Sequence, residues 1–401
     1  MFMDERRINV LNFLDKHNSA TVKHLAQYFS VTKETIRSDL RMLAQQGYIQ
    51  RCHGGAIIIR KSLQSKLISE TDNDFEVLLK NIKQRKYEKG SVDNMKNKVC
   101  ILGSFNVDIV AKVARFPKGG ESLMALGSSL GPGGKGANQA QAASRAGAKV
   151  HFVSKVGKDQ FSQFAMEHLS SSEIYSFKLY QSEEEPTGSA IIYVSQENGE
   201  NMIAIYSGAN KTISEKEIAE LKDELEDASV LLLQLENNFF ATLNAMKLAK
   251  ALGVKVIMNP APYSSDIIPA LEYMDVITPN ETEASLLSGI EVTNLESARR
   301  AATAIAELGA RCIIITMGAR GALLYENQQF QHIPAFPAVS IDTTGAGDAF
   351  NGALAASIAD GQPLMQAATF ASAFASLAVE REGASNMPER QQALNRLKSK
   401  V

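Results

Sequence analysis

The chain has 401 residues, 45% hydrophobic and 21% charged, a length that favours two or three domains over a single core. That composition excludes collagen, coiled coil and intrinsic disorder. The net charge of -2 hides an asymmetry: residues 1–98 carry 18 Lys/Arg against 11 Asp/Glu, and residues 99–401 carry 24 against 33. A small basic head that meets a polyanion, joined to a larger acidic body, is expected. The three cysteines, Cys52, Cys100 and Cys312, are scattered and form no CxxC pair, which argues against a disulfide framework or a zinc site. No apolar run reaches the ~20 residues of a membrane span, and residues 1–17 do not read as a signal peptide, so a cytoplasmic protein is expected.

Residues 4–60 read helix, helix, helix, hairpin. The first helix places Ile8, Leu11 and Leu14 on one face. The second starts near Thr21 and carries Val22, Leu25, Ala26 and Phe29; the third follows N-cap Thr32 with Ile36, Leu40 and Leu43. Gly47 ends it, and YIQRCHGGAIII alternates through a Gly-Gly turn as a β-wing. With the apolar positions of the third helix inward, Lys33, Thr35, Arg37 and Arg41 face out, a set suited to phosphates and base edges. A solvated basic helix would show the same pattern. Residues 61–97 are polar, with a basic run KNIKQRKYEKG that reads as an exposed helix and linker.

From Lys98 onward, short apolar strands alternate with helical patterns: VCILGS, KVHFVSKVG, ASVLLLQLE, VKVIMNPAP, MDVITPN and CIIITMG. This predicts an α/β domain over residues 98–401, with a mostly parallel sheet covered by helices on both faces. Residues 116–131 and 187–210 alternate instead like exposed antiparallel strands, and are expected to form a small lid over the sheet's carboxyl edge. The Ala/Ser-rich stretch Met365 to Val379 reads as a buried helix. Arg115 and His151 belong to no motif and are expected at the surface or a strand edge.

Three strings carry chemistry. Asp342-Thr343-Thr344-Gly345-Ala346-Gly347-Asp348-Ala349-Phe350 opens a helix whose backbone N–H groups and dipole suit a phosphoryl group, with Asp348 placed to take a proton. An ordinary Gly-rich loop with an Asp near a helix start explains an isolated GxGD equally. Gly131-Pro132-Gly133-Gly134-Lys135-Gly136-Ala137-Asn138 also opens a helix, but Lys135 precedes Gly136 and not Ser or Thr, so this is not a Walker A loop. In Gly103-Ser104-Phe105-Asn106-Val107-Asp108, Asn106 and Asp108 share one side of an extended segment, as an amide and a carboxylate for a polyol would.

Two resemblances follow from these residues. VTKETIRSDLRMLAQQGYIQRCHGGA resembles the winged helix-turn-helix of DeoR-type bacterial regulators over residues 4–60, with Ser38 where many members carry a second basic residue. GSFNVD, GGKGAN, LLLQLEN, NPAP, TPNETE, TMGARG and DTTGAGDAF, in that order, resemble the ribokinase family, also called the PfkB group of carbohydrate kinases. The second resemblance implies a ribokinase-like fold and ATP-dependent phosphorylation of a sugar hydroxymethyl, D-ribose first and 2-deoxyribose behind it. Asp348 is then the base and Gly345, Ala346 and Gly347 the anion hole. Asn106, Asp108, Gly134, Lys135, Asn138 and Glu236 match positions that hold the sugar, and Asn280, Thr316, Gly318, Ala319, Arg320, Gly321, Gly347 and Ser372 match positions that hold ATP. Glu283 matches the acid that organises magnesium through water. Asp342, Thr344, Ala378, Arg381 and Gly383 match the loops that bind an activating monovalent cation, usually potassium, although Gly383 to Pro388 is one residue shorter than in many members. DNA as a partner of the head and a homodimer are also implied. Three readings stay open: an active kinase that binds DNA, a regulator using the kinase fold as a sugar sensor, and a kinase with a vestigial head.

Overall fold

The computed structural model describes residues 97–399 and, nearer the N-terminus, residues 6, 10, 13–14, 19–29, 31–45, 49–52, 55–58, 75 and 78–79. The chain divides into two compact units, Met1–Val77 and Leu78–Val401.

The first unit contains β1 (Ser19–Thr21), α1 (Val22–Tyr28), α2 (Lys33–Gln45), β2 (Ile49–Cys52) and β3 (Gly55–Ile58), with an antiparallel sheet ordered β1-β3-β2. Thr32 Oγ1 accepts from Thr35 N–H at 3.1 Å, so the predicted cap forms, and Thr21, read only as the approximate start of its helix, caps as well by accepting from His24 N–H at 3.2 Å. Leu25 and Ala26 pack with Ile36, Leu40 and Leu43 from α2, and with Val10, Phe13 and Leu14. Ile8, Leu11, the helix end read at Gly47, Gly54 of the expected Gly-Gly turn and the basic run after Leu79 lie outside the described residues. Strand β1 is new relative to the sequence reading; three residues, Ser-Ala-Thr, are too short to show alternation. Phe75 and Leu79 are buried, although the segment that contains them reads as polar.

The second unit is built on a nine-stranded sheet ordered β16-β15-β14-β13-β12-β11-β4-β7-β8. Strands β4 (Lys98–Leu102), β7 (Lys149–Val156), β8 (Ser176–Gln181), β11 (Val230–Leu233), β12 (Lys255–Met258), β13 (Val276–Ile277) and β14 (Cys312–Thr316) run parallel. β15 (Ala322–Glu326) and β16 (Gln329–Ile333) close that side as an antiparallel hairpin. All six strings read as strands are in this sheet. Missed were β8 and the hairpin, which lie at the two edges and mix polar with apolar residues. His151 departs from expectation: β7 lies between β4 and β8, so His151 is buried at 6% exposure, its Nδ1 2.8 Å from Ser176 Oγ. Arg115 is at the surface, paired with Glu121.

The lid is a four-stranded sheet, β10-β9-β5-β6, from β5 (Asn106–Val113), β6 (Gly127–Gly133), β9 (Gly188–Ser195) and β10 (Asn201–Tyr206). Strands β9 and β10 pair antiparallel as expected, but β5 joins β9 in parallel. Within 116–131 only the part from Gly127 is strand; Pro117 and the pair Gly119-Gly120 interrupt the ladder before it. Lid side chains Leu130, Ile191, Met202, Ile203 and Ile205 are exposed.

Four helices position the site: α3 (Lys135–Arg145), α4 (Glu281–Ser288), α5 (Ala346–Ala359) and α6 (Leu364–Ala378). Helix α6 is the predicted buried Ala/Ser helix and shares a core with α5 and α3. A Cβ on Gly352 of α5 would lie 2.5 Å from Ala142 Cβ and from Gln139 O, so glycine permits the close approach of α5 to α3. Among the described residues no helix is long and apolar enough to cross a membrane.

Candidate active site

The carboxyl ends of β4, β11, β12, β13 and β14 run into the loops that contain Ser104, Glu236, Asn259, Asn280 and Gly318, where ligands bind in open α/β sheets. A cavity of about 90 Å³ opens there, with Lys135, Asn280, Glu283, Thr316, Gly345, Gly347 and Asp348 in its wall together with Asn259, Ala261, Thr278 and Asn351.

Helix α5 follows Gly345, whose φ of +78° is left-handed, and no side chain caps it. A Cβ on Gly347 would meet nothing within 4 Å, so this position of the first turn faces open space, while the Ala346 N–H before it donates to Thr343 O at 3.2 Å. Asp348, in the same turn, is 6% exposed. Its two oxygens are each held by an amide from α3: Asn138 Nδ2 donates to Oδ2 at 3.1 Å and Gln139 Nε2 to Oδ1 at 2.9 Å. Burial raises the Asp348 pKa above the ordinary value, against the opposing pull of Lys135 and these two hydrogen bonds.

Helix α3 also starts after a positive-φ glycine, Gly134 at +90°, without a side-chain cap of its own. Its first N–H, from Lys135, donates to Glu236 Oε2 at 3.0 Å, and Ser104 Oγ bonds the same oxygen. Burial lowers the Lys135 pKa, but Asp348, Glu236 and Glu283 outweigh it and the net shift is upward. Lys211 Nζ donates to the carbonyls of Leu235 and Asn237 at 3.1 and 2.8 Å, bracketing Glu236.

On the lid side, Asn106 is 3% exposed and its Oδ1 accepts from Asn210 Nδ2 at 2.9 Å. The Asp108 carboxylate packs against Gly133, where a Cβ would lie 2.1 Å from Oδ1. Burial and the neighbouring Glu236 charge push its pKa up to about 6. Asn106, Asp108 and Glu236 are not in the wall of the cavity beside Asp348, but Glu236 is electrostatically linked to Asp108, Lys135 and Asp348. Asn138 Oδ1 is buried without a partner, an acceptor available to a hydroxyl.

Asn280 caps α4 reciprocally with Glu283: Asn280 Oδ1 accepts from Glu283 N–H at 2.8 Å and Glu283 Oε2 from Asn280 N–H at 2.9 Å. Burial raises the Glu283 pKa. Asn280 bridges to Thr316 at the end of β14, and Gly318, Ala319, Arg320 and Gly321 form the next turn, with Arg320 paired to Glu281. Ser372 sits mid-helix in α6 and is not in the cavity wall. The loops around Asp342 and Gly383 are brought together: Ile341 and Asp342 N–H donate to Val379 O, while Asp342 accepts from Thr344 N–H at 2.9 Å and Gly383 N–H at 3.0 Å. Ala378 is buried beside this junction, and the Arg381 guanidinium turns away to Met387 O and Gln392. The sequence reading missed Gln139, Asn210, Gln234, Asn259 and Asn351. Gln234 and Asn259 stand inside quoted strings and Gln139 directly follows one, but nothing in one sequence says that their amides meet.

In the first unit, Lys33, Arg37 and Arg41 are exposed on α2 and Thr35 is half-buried near its start. Arg37 pairs with Glu34 at 2.8 Å on the surface. Asp39, on the same helix, is 1% exposed and bonds Arg6 Nε at 2.7 Å, so α2 is tied to the preceding segment.

The arrangement defines an enzyme that phosphorylates a carbohydrate. Residues 96–391 match the pfkB family carbohydrate kinase, and the chain belongs to that family. Residues 6–62 match the DeoR-like helix-turn-helix domain. The ribokinase of Haemophilus influenzae is 38% identical over 306 residues, 75% of this chain and 98% of that protein. The structure of a Thermotoga maritima ribokinase aligns with a TM-score of 0.68 at 35% identity, covering 75% of this chain and 99% of that one. Arabidopsis thaliana ribokinase, solved with ribose and ATP, aligns with a TM-score of 0.67 at 30% identity over 75% of this chain and 98% of its own.

Proposed function

We propose that the protein transfers the γ-phosphoryl group of ATP to the terminal hydroxyl of D-ribose, giving ribose 5-phosphate, and that its N-terminal unit binds DNA. The observation that carries the catalytic half is Asp348: a buried carboxylate, fixed at both oxygens, in the first turn of a helix beside Gly347, which faces open space. Asp348 takes the hydroxyl proton as that oxygen forms its bond to the γ-phosphorus and the bond to the ADP oxygen breaks. Backbone N–H groups of Gly345, Ala346 and Gly347 stabilise the charge on the transferring group. Asn106, Asp108, Gly134, Lys135, Asn138 and Glu236 hold the sugar; Asn280, Thr316, Gly318 to Gly321, Gly347 and, more remotely, Ser372 hold ATP.

The residues present fit both metal ions of this reading. Magnesium at a phosphoryl-transfer site is commonly held by one or two carboxylates and the substrate phosphates. Glu283, buried in the cavity wall, is the carboxylate for it, and magnesium would neutralise phosphate charge. The Asp342 and Gly383 loops, tied together through Asp342, would present backbone oxygens to potassium. Homodimerisation would cover exposed lid residues such as Leu130, Ile191 and Met202.

The test is ATP consumption by the full chain with ribose, 2-deoxyribose, fructose and adenosine, with and without potassium. Turnover highest on ribose is expected. Absence of turnover, with sugar-dependent DNA affinity, would make the protein a sensor instead. For the head, a fragment from upstream of the protein's own gene should be retarded with a steep salt dependence through Lys33, Thr35, Arg37 and Arg41.

A further inference from the structure

Gln139 is completely buried on α3, and every polar atom of its side chain is engaged. Nε2 donates to Asp348 Oδ1 at 2.9 Å and to Asn259 Oδ1 at 3.1 Å, while Oε1 accepts from Gln234 Nε2 at 2.6 Å. A carboxylate only accepts hydrogen bonds, so the amide nitrogen must face Asp348. Reversing the amide would turn its oxygen toward the Asp348 carboxylate and the Asn259 carbonyl oxygen together. Its partners come from separate parts of the scaffold: Gln234 follows β11, Asn259 follows β12 and Asp348 starts α5. Gln234 is 2% exposed and Asn259 6%, so no partner is free to turn toward solvent.

We infer that Gln139 is a positioning residue for phosphoryl transfer, a buried amide that fixes the Asp348 carboxylate against the ends of β11 and β12. The inference rests on the reading of Asp348 as the base. Asn138 holds the other oxygen but keeps its own Oδ1 unpartnered, so it is placed to be shared with a ligand, whereas Gln139 is wholly internal. The charged groups around Asp348 are Lys135 from α3, Glu236 from the loop after β11 and Glu283 from α4. Lys135 favours the ionised carboxylate and the two acids oppose it. Gln139 adds no charge to this balance; its N–H sets direction and supports the ionised form.

The experiment measures kcat and KM for ribose and ATP across pH in Gln139→Glu, which keeps the side-chain shape, in Gln139→Met and in Gln234→Met, with Asp348→Asn as reference. Thermal melting establishes that each variant is folded. Expected for Gln139→Glu and Gln139→Met is a fall in kcat of about 10- to 100-fold with KM nearly unchanged. The acid limb of the kcat profile should move to higher pH, because a donor to the charged carboxylate is lost. Gln234→Met, which frees the amide to turn, should shift the limb the same way by less, and supplies the readout should both Gln139 variants fail to fold. Unmoved acid limbs and unchanged kcat in folded variants, with Asp348→Asn inactive, would overturn the inference alone. Full turnover by Asp348→Asn would overturn the reading of the base itself.

Discussion

Helices α3 and α5 begin alike and end up differently used. Both follow a positive-φ glycine, Gly134 and Gly345, and neither has a side-chain cap of its own. At α3 the leading N–H is taken by Glu236, a carboxylate 101 residues further along the chain. At α5 the leading N–H, from Ala346, turns back within its own loop to Thr343 O at 3.2 Å, and the next residue, Gly347, faces open space. By contrast α4 closes its own start with the Asn280–Glu283 box. A helix whose N-terminus the protein leaves open keeps its positive end for an anion, while one filled from within is spent on holding the scaffold. Asn138 and Gln139 of α3 both bond Asp348 of α5, and on the proposed reading the two starts separate a sugar-holding side from a phosphoryl side.

The sharpest way to break this contrast is Gly345→Ala. Its Cβ would need φ near +78° and would lie 2.7 Å from Ala384 O. We expect kcat to fall about 100-fold by displacement of the α5 start, and stability to fall by about 1–3 kcal/mol; steady-state kinetics and thermal melting read the two. Glu236→Gln tests the other start: the Lys135 N–H keeps an acceptor but loses its charge, so KM for the sugar should rise roughly 10-fold through a loss of ~1.4 kcal/mol of binding. Isothermal titration with ribose checks it, and unchanged affinity would remove Glu236 from the sugar side.

Asp108 gives a pH prediction with a definite sign. Its folded pKa lies at about 6, above the unfolded value of 3.8, so the folded state binds this proton more tightly. The associated stability is present below pH 3.8 and lost as pH rises through about 6. Asp108→Asn should therefore raise stability near pH 8 by about 1–2 kcal/mol, discounted for partial exposure, and the gain should vanish near pH 4. Melting at the two values measures it; a gain equal at both would mean that charge is not the cause. Arg37→Ala in the head should have the smallest effect on folding, under about 1 kcal/mol, because its pair with Glu34 is exposed. It should nevertheless weaken retardation of the upstream DNA fragment.

The sequence revealed what depends on local pattern. The strands β4, β11, β12, β13 and β14 are short apolar runs and β7 is rich in Val and Phe, the cap Thr32 precedes apolar periodicity, and DTTGAGDAF and GGKGAN lie at helix starts. Less legible was whatever depends on distant partners. The edge strands β8 and β16 mix polar with apolar residues, β15 is only five residues long, and β5 gave no sign that it would pair in parallel with the distant β9. His151 read as peripheral because a lone histidine does not announce that its strand has neighbours on both sides. Gln139, Gln234 and Asn259 are unremarkable amides until the fold sets them against Asp348.

The most direct test of the account is ribose-dependent ATP consumption by Asp348→Asn beside the unaltered protein, with nucleotide binding measured in parallel. A loss of kcat of about 10²- to 10⁴-fold with ATP affinity retained is the result predicted for a base beneath the open start of α5. Turnover at the unaltered rate would contradict it.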